Sequence, residues 1–125
     1  MQPNRQHEER NLTRVYKIFR EAEWRSALES GVFMGSLDDL RDGYIHLSAG
    51  GQIAATAAKY FRGQRGLVLA AFDAAVLAPA LKWEPARGWE LFPHLYGPLD
   101  VDLALATWRL TLDPDDAPRI PPEAV

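Results

Sequence analysis

Ten residues, GWELFPHLYG at positions 88–97, combine one carboxylate and one imidazole with several aromatic rings. Glu90 and His94 stand four residues apart in this segment. Side chains two apart in an extended strand point to the same side, so the even-numbered residues from 90 to 96 share one face if the segment is extended. A carboxylate enclosed by rings is poorly solvated when charged, which suits it for proton transfer or for hydrogen bonding to a hydroxyl. The pattern indicates Glu90 and His94 as candidate catalytic residues in one cleft.

The same segment also allows a purely structural interpretation. Glu90 could be a buried carboxylate paired with Arg87 or Lys82, and His94 could pack against a neighbouring ring. Pro93 has no N–H to donate to a ladder, so the strand is expected at a sheet edge or broken by a bulge. The residues alone leave both interpretations open.

A second polar pair lies in GYIHLS, residues 43–48. His46 and Ser48 share one face of the predicted strand, while the apolar residues between and before them point into the core. Gly50 and Gly51 follow and open a helix, whose first N–H groups are unpaired and unobstructed by a Cβ. This arrangement suits a phosphate or another anion. A tight turn with Ser48 as the helix cap is the alternative.

Two further kinds of site can be built from these residues. His46, His94 and Glu90 could form a metal site with two histidines and one carboxylate, although their spacing matches no known helical metal motif. Ser48 and His94 could form a nucleophile and base pair, but the chain lacks the GxSxG elbow of such hydrolases. Neither site is favoured over a ligand-binding cleft.

Two helices are predicted from the spacing of apolar residues. EAEWRSALESG at 21–31 has apolar residues at i, i+3 and i+4, and Gly31 provides the C-terminal stop. GGQIAATAAKYFRG at 50–63 predicts a second helix with Tyr60 on its apolar face. Both helices precede the region that is richest in strands.

Strands account for most of the remaining pattern. GLVLAAFD is a continuous apolar run, which is typical of a strand buried on both faces. The outline predicts a small single α+β domain with two early helices packed on a mostly antiparallel β-structure. A flexible tail is expected at 1–13, the domain at 14–113, and a Pro-rich acidic tail at 114–125. The predicted strands lie at 15–19, 42–48, 66–73, within 81–99, and at 101–113.

The composition excludes several functional classes. The chain has 125 residues, enough for one domain and one core. A net charge of −3 argues against binding to duplex nucleic acid, which requires clustered Lys and Arg. With no cysteine, disulfides and thiolate chemistry are excluded. No apolar run is long enough to cross a bilayer and no signal peptide is evident, so a cytoplasmic location without a membrane partner is expected. The oligomeric state is left open.

Four segments, taken in order, resemble the bacterial domain-of-unknown-function 952 family, DUF952. Together they span about residues 14–112. This family is similar in fold to the ADP-ribosyltransferases, so the resemblance implies an ADP-ribosyltransferase-like fold. The segments that carry it are YKIF, GSLDDLRDGYIHLS, YFRGQRGLVL and LKWEPARGWELFPHLYGPL.

The resemblance also implies roles for individual residues. Lys17 falls at the first-strand position that holds the adenosine ribose, where many relatives have a His. GYIHLS falls beside the nicotinamide, and Glu90 falls at the catalytic position. The implied reaction is attack on the anomeric carbon of an NAD ribose, with NAD as a substrate rather than a resident cofactor. The nicotinamide would stack on Trp89 or Phe92, and the pyrophosphate would be held by Lys17, Arg20 and Arg87.

These patterns favour a module that binds a nucleotide or a related phosphate or sugar ligand on this fold. Because Lys17 is not an imidazole, they favour binding over NAD-dependent ADP-ribosyl transfer or phosphotransfer. A partner-binding domain without catalysis is the third alternative. The predicted ligand-binding residues are Lys17, Arg20, His46, Ser48, Gln52, Arg87, Trp89, Phe92 and Tyr96.

Overall fold

The computed structural model describes residues 13–125. The predicted N-terminal tail at 1–13, including His7, therefore lies outside the described residues except for Thr13. The described chain forms the predicted small single α+β domain, and all of its strand pairings are antiparallel. None of the helices within this range is long and apolar enough to span a membrane.

A four-stranded sheet in the order β4-β1-β5-β9 forms the centre of the domain. The predicted apolar strand is confirmed as β5, which pairs with β1 over seven residues and is buried on both faces. Apolar burial is the dominant stabilising term in such a core. The strands of this sheet are β1 (Arg14–Arg20), β4 (Ser48–Ala49), β5 (Leu67–Asp73) and β9 (Ala106–Arg109).

Alternation along β1 divides the core into two clusters. Val15 and Phe19 face one cluster together with Phe72, and Tyr16 and Ile18 face the other. Lys17 lies on the same side as Val15 and Phe19 by strand periodicity, and its side chain is only 11% exposed. A buried ammonium on a central strand must have a partner, and this requirement shapes the candidate site.

Four helices cover the sheets. The predicted first helix is confirmed as α1 (Glu21–Ser30), and Gly31 ends it at a φ of 86°. The predicted second helix is confirmed as α3 (Ile53–Tyr60), which begins later than position 50 because Gly50, Gly51 and Gln52 form the turn before it. The sequence analysis missed two short helices, α2 (Leu37–Asp42) and α4 (Ala74–Leu77).

Tyr60 was assigned to the apolar face of this second helix, and this was wrong. Its side chain is 51% exposed, whereas Ile53 and Ala57 carry the buried face. Tyr60 is the last helical residue, so its ring extends past the edge of the core. It lies instead beside Arg87 at the cleft.

A three-stranded sheet in the order β3-β7-β6 packs beside the central sheet. β7 is its middle strand, so the expectation that Pro93 marks an edge or a bulge was wrong. The Pro93 carbonyl accepts a hydrogen bond from Leu47 N at 3.1 Å, and the nitrogen of a strand residue points the same way as its carbonyl. The Pro93 nitrogen, which carries no N–H, therefore faces the same neighbouring segment, at a point where β3 has already ended at His46. The strands are β3 (Ile45–His46), β6 (Leu81–Pro85) and β7 (Leu91–Leu95).

The extended segment predicted at 42–48 is divided between two sheets. β3 pairs with β7, and β4 pairs with β1 after a break at Leu47. Two further strand pairs close the domain. They are β2 (Val32–Phe33) with β8 (Leu99–Asp100), and β10 (Thr111–Leu112) with β11 (Pro118–Arg119).

The C-terminal segment differs from the expected extended tail. Ala117 and Ala124 are buried, and the Tyr16 hydroxyl donates a hydrogen bond of 2.6 Å to the Ala124 carbonyl. The predicted last strand at 101–113 is also shorter, because a 3-10 helix at Val101–Leu103 precedes β9. The Pro-rich, acidic composition predicted an extended tail here, but the few apolar residues of this segment complete the second core cluster.

We expect Tyr16→Phe to lower the free energy of unfolding by about 1–2 kcal/mol, because the buried Ala124 carbonyl loses its donor. Tyr60→Phe, at an exposed ring, is the matched control and should leave stability nearly unchanged. Urea unfolding of the two variants checks the prediction. Equal stabilities would show that this hydrogen bond does not contribute to the stability of the fold.

Candidate functional site

A cleft of about 360 Å³ opens between the edge of the central sheet and β7. β1, α2, β3, α3 and β7 all contribute side chains to it. The short helix α2 reaches this position because Ser36 caps its N-terminus and Gly43 ends it at a φ of 87°. Ser36 and Asp39 form a reciprocal capping box. This box brings Asp39 into the wall of the cleft.

Asp39 is the most highly connected polar residue of the cleft. Its carboxylate is 2% exposed and accepts backbone hydrogen bonds from Ser36 N at 2.9 Å and His46 N at 3.1 Å. It also contacts His46 Nδ1 at 2.6 Å and forms an ion pair with Lys17 Nζ at 3.2 Å. The Lys17 ammonium donates in addition to the His46 carbonyl at 2.9 Å. Asp39 therefore joins β1, α2 and β3.

Burial and ionic contact shift the pKa values of Asp39 and Lys17 in opposite directions. Burial alone would raise the pKa of Asp39, but the His46 hydrogen bond and the Lys17 charge outweigh it, so the pKa lies well below its usual range. Burial lowers the pKa of Lys17, and the charge of Asp39 opposes that shift. The Lys17 ammonium is thus committed to an internal partner and is poorly placed to bind a ligand.

His46 lies between two carboxylates. Its Nδ1 contacts Asp39, and its Nε2 lies 2.9 Å from Asp42 Oδ2. The Tyr44 ring is tilted against the imidazole, with the ring centroids 4.8 Å apart. Both ring nitrogens of His46 contact carboxylates of the protein. The partly exposed ring therefore lines the cleft without offering a free donor or acceptor to a ligand.

Glu90 lies on a different network. Gln52 Nε2 donates to Glu90 Oε2 at 3.0 Å and to the Leu91 carbonyl at 2.7 Å, and the Gln52 side-chain oxygen accepts from Ala49 N. Glu90 is exposed and precedes β7, so the strand alternation that grouped it with His94 ends before it. The expected aromatic enclosure of this carboxylate, and its convergence with His94, are therefore corrected.

Ser48 does not contact His94 in the way the nucleophile hypothesis required. Its hydroxyl lies 3.0 Å from Thr56 Oγ1, and Thr56 in turn donates to the Gln52 carbonyl. The metal hypothesis is also corrected, since no three histidines and carboxylates among residues 13–125 are grouped as a metal site would need. The residues present thus fit neither kind of site.

Arg87 is held in the cleft by contacts that leave its charge without an acidic partner. Its guanidinium carbon lies 4.4 Å from the centroid of the Phe92 ring and 5.5 Å from that of Tyr60. One nitrogen donates to Thr56 Oγ1 at 3.0 Å. No carboxylate in the described part of the chain forms an ion pair with Arg87. Most of its N–H donors are therefore open to the cleft.

Gly88 and Trp89 position this arginine. Both adopt left-handed backbone angles, with φ of 63° at Gly88 and 66° at Trp89. Positive φ is uncommon for a bulky residue and identifies a locally strained turn. The turn directs Arg87 onto Phe92, but it leaves the Trp89 ring 86% exposed.

His94 lines the cleft from β7, one residue before that strand ends. It is 4% exposed, its Nδ1 contacts Glu84 Oε1 at 2.8 Å, and its ring stacks on Tyr44 at a centroid distance of 4.0 Å. The Tyr96 hydroxyl donates to the same Glu84 oxygen at 2.7 Å. Those two hydrogen bonds, from His94 and then Tyr96, lower the pKa of Glu84, and the bond to Glu84 raises the pKa of Tyr96 to about 12.

The cleft thus brings together most, but not all, of the predicted site residues. Gln52 supports the wall through its hydrogen bonds without lining it, and Trp89, Glu90 and Tyr96 also lie outside the lining. The predicted residues that do line it are Lys17, Arg20, His46, Ser48, Arg87, Phe92 and His94.

Sequence reasoning missed the carboxylates that organise the site. Asp39 carried a detectable signal, because Ser36 stands three residues before it and the pair satisfies the capping-box spacing with an Asp in place of Glu. Tyr44 and Glu84 carried no such signal, since their contacts with His94 form only when separate strands pair. Asp42 stands four residues before His46, and its contact with that ring was also missed.

The depressed pKa of Asp39 predicts a loss of stability in acid. Below pH 4 the unfolded Asp39 takes up a proton that the folded form resists, so the free energy of unfolding decreases as the pH falls. We expect the difference in unfolding free energy between pH 7 and pH 3 to shrink in Asp39→Asn. The exposed neighbour provides the control, since Asp38→Asn should keep the wild-type dependence. Parallel curves for Asp39→Asn and wild type would contradict the assignment.

The buried ion pair also predicts a coupling energy. Asp39→Asn alone should cost about 3–5 kcal/mol, because it leaves the Lys17 ammonium buried without its anion. Lys17→Met combined with Asp39→Asn should cost about 1–3 kcal/mol less than the sum of the single changes. A cycle on the exposed pair Arg41 and Asp38 should be additive. Additivity at Lys17 and Asp39 as well would rule out a coupled pair.

Comparisons with known proteins relate this chain to a family. The family described as "Protein of unknown function (DUF952)" matches residues 18–107. The crystal structure of protein CC0527 from Caulobacter crescentus is 52% identical, covers 86% of this chain and 94% of its own, and has a TM-score of 0.84. The solution NMR structure of CC0527 is 52% identical over 85% and 91% of the two chains, with a TM-score of 0.77. No curated protein matches. Because the family match spans most of the chain, this protein belongs to the DUF952 family.

Proposed function

We propose that the cleft binds a small ligand that carries a phosphate group together with a sugar or a planar ring, as in a nucleotide. The observation that carries this proposal is Arg87, whose guanidinium lies in the cleft without a carboxylate partner among the described residues. A guanidinium presents several N–H donors in a planar fork that matches phosphate oxygens. An anionic ligand would supply the missing countercharge.

The surroundings of Arg87 support a phosphate ester over a bare ion. Arg20 lies on the same cleft, with its guanidinium carbon 5.2 Å from the Phe61 ring and only a distant contact of 3.9 Å to Glu23. Tyr60 and Phe61 therefore present rings beside two cationic side chains. Aromatic side chains stack on planar groups such as nucleobases.

The carboxylates of the cleft do not oppose this proposal, because protein cations and histidines already contact them. Asp39 is paired with Lys17 and His46, and Asp42 contacts His46 and Arg41. Anion binding therefore depends on the local position of Arg87 and Arg20, even though the chain as a whole carries a net charge of −3.

The alternative is an active NAD-dependent transferase on an ADP-ribosyltransferase-like fold. That reaction would use Glu90, but this carboxylate is held by Gln52 outside the residues that line the cleft. It would also use Lys17 to hold a ribose, whereas the ammonium is paired with Asp39. These contacts favour binding over transfer. The resemblance still adds NAD and ADP-ribose to the ligands that should be tested.

We expect AMP and ADP-ribose to bind, and Arg87→Gln to weaken that binding about 10- to 100-fold, because the phosphate loses a charged donor. Isothermal titration calorimetry measures the affinities, and two-dimensional NMR should show shifts for Phe92 and His94. Adenosine, which lacks the phosphate, should bind more weakly than AMP to the wild type.

Arg65→Gln is the control for Arg87→Gln. Arg65 is exposed and lies away from the cleft, so its removal changes the net charge equally without touching the site. Equal affinities in the two variants would show that only overall charge matters. If AMP, ADP-ribose and NAD all leave the spectra unchanged, the binding proposal fails and a partner-binding domain becomes the better account.

A further inference from the structure

His94 lines the cleft and is paired with Glu84, and the arginines of the proposed phosphate site do not explain this pair. Glu84 lies on β6 and His94 lies opposite Lys82 on β7, so the two side chains meet across neighbouring strands. The sequence analysis did not select Glu84. The pair is nevertheless as close as the contact between Asp42 and His46.

The His94 ring is fixed by three neighbours. Glu84 Oε1 contacts Nδ1 at 2.8 Å, the Tyr44 ring stacks on one face with an interplanar angle of 24°, and the His46 ring meets it edge-on at 5.8 Å. Tyr96 holds the Glu84 oxygen from the other side. This degree of restraint is typical of a side chain whose exposed atom has a defined role.

The contact with Glu84 determines where the imidazole proton lies. A carboxylate accepts hydrogen bonds and cannot donate, so a neutral His94 carries its proton on Nδ1. The other nitrogen, Nε2, then presents a lone pair. Nε2 has no hydrogen-bond partner within residues 13–125, and no side-chain nitrogen or oxygen there is both buried and unpaired. An unpaired Nε2 therefore keeps some accessible surface, and His94 is one of the residues that line the cleft.

His46 shows by contrast why His94 is the informative residue. Both nitrogens of His46 contact carboxylates, Asp39 at Nδ1 and Asp42 at Nε2. His94 has one nitrogen held and one unpartnered. His94 Nε2 can accept a hydrogen bond, and Arg87 in the same cleft can pair with an anion. The two residues together suit a ligand that carries a hydrogen-bond donor close to an acidic group.

We propose that His94 Nε2 accepts a hydrogen bond from a hydroxyl of the bound ligand, so that the cleft selects phosphorylated sugars and ribonucleotides over phosphate esters that lack hydroxyls. This inference rests on the proposed function, since Arg87 holds the phosphate. Glu84 is a positioning residue that acts through His94. His94 touches the ligand directly.

The test compares ribose 5-phosphate with tetrahydrofurfuryl phosphate, which has the same ring without a free hydroxyl. Wild type should bind ribose 5-phosphate about 3- to 10-fold more tightly, as expected for one hydrogen bond. His94→Asn keeps an amide donor near the position of Nδ1 and removes Nε2, so the ratio of the two affinities should fall to about one. Arg65→Gln should keep the wild-type ratio.

The imidazole nitrogens of His94 provide a second readout, because they report the proton position directly. In ¹⁵N NMR of the wild type, Nδ1 should carry the proton, and the Nε2 resonance should move with ribose 5-phosphate but not with tetrahydrofurfuryl phosphate. Glu84→Gln, whose amide can accept or donate, should allow both tautomers while the melting temperature stays close to that of wild type. A merely structural Glu84 would leave the tautomer unchanged.

The outcomes separate the two proposals. If both phosphates bind through Arg87 with equal affinity in the wild type, the phosphate site stands and the hydroxyl contact is overturned. If His94→Asn keeps the preference for ribose 5-phosphate, or if Nε2 carries the proton in the free protein, the assignment to His94 is likewise overturned. If neither phosphate binds while AMP does, the hydroxyl contact is overturned and the phosphate site stands; if AMP and ADP-ribose are silent as well, both proposals fail.

Discussion

A lysine ammonium on the central sheet is the constraint on which the polar half of this structure depends. Lys17 lies between Val15 and Phe19 on β1, where alternation would otherwise place an apolar residue. A charge in that position is costly unless it is paired and hydrogen-bonded. Asp39 and the His46 carbonyl satisfy it, and they come from α2 and β3. The pairing therefore holds the wall of the cleft against the sheet.

The same constraint decides which charges are available to a ligand. Lys17, Asp39, His46 and Asp42 form a connected group in which each residue contacts at least one other member. Arg87 stands apart, because Thr56 and the Phe92 ring hold it without neutralising it. A cleft with satisfied carboxylates and an unneutralised guanidinium attracts anions. The charge that the proposed ligand would meet is thus set by which groups lack partners, and not by the net charge of the chain.

Sequence reasoning identified the large elements and most of the cleft, for reasons that are specific to each. β5 was predictable because both of its faces are apolar, and α1 because Gly31 ends a periodic segment. The role of Pro93 was not predictable, since it depends on where the neighbouring strand β3 ends. Glu90 was misplaced because a turn at Gly88 and Trp89 interrupts the extended segment. Sequence patterns predict local geometry, but they do not predict contacts between strands that are distant in the sequence.

In the segment at 88–97, the carboxylate that contacts His94 is not the one expected from the sequence. The sequence placed Glu90 beside His94, but a residue on the neighbouring strand, Glu84, makes the contact. Strand pairing places Lys82 opposite His94 and Glu84 opposite Phe92. Glu84 and His94 are therefore diagonal neighbours on adjacent strands, and long side chains can make contact at that separation. Glu90 is instead fixed by Gln52 at the start of α3. The imidazole therefore receives its orientation from β6, and this leaves Nε2, not a carboxylate, as the acceptor that β7 presents to the cleft.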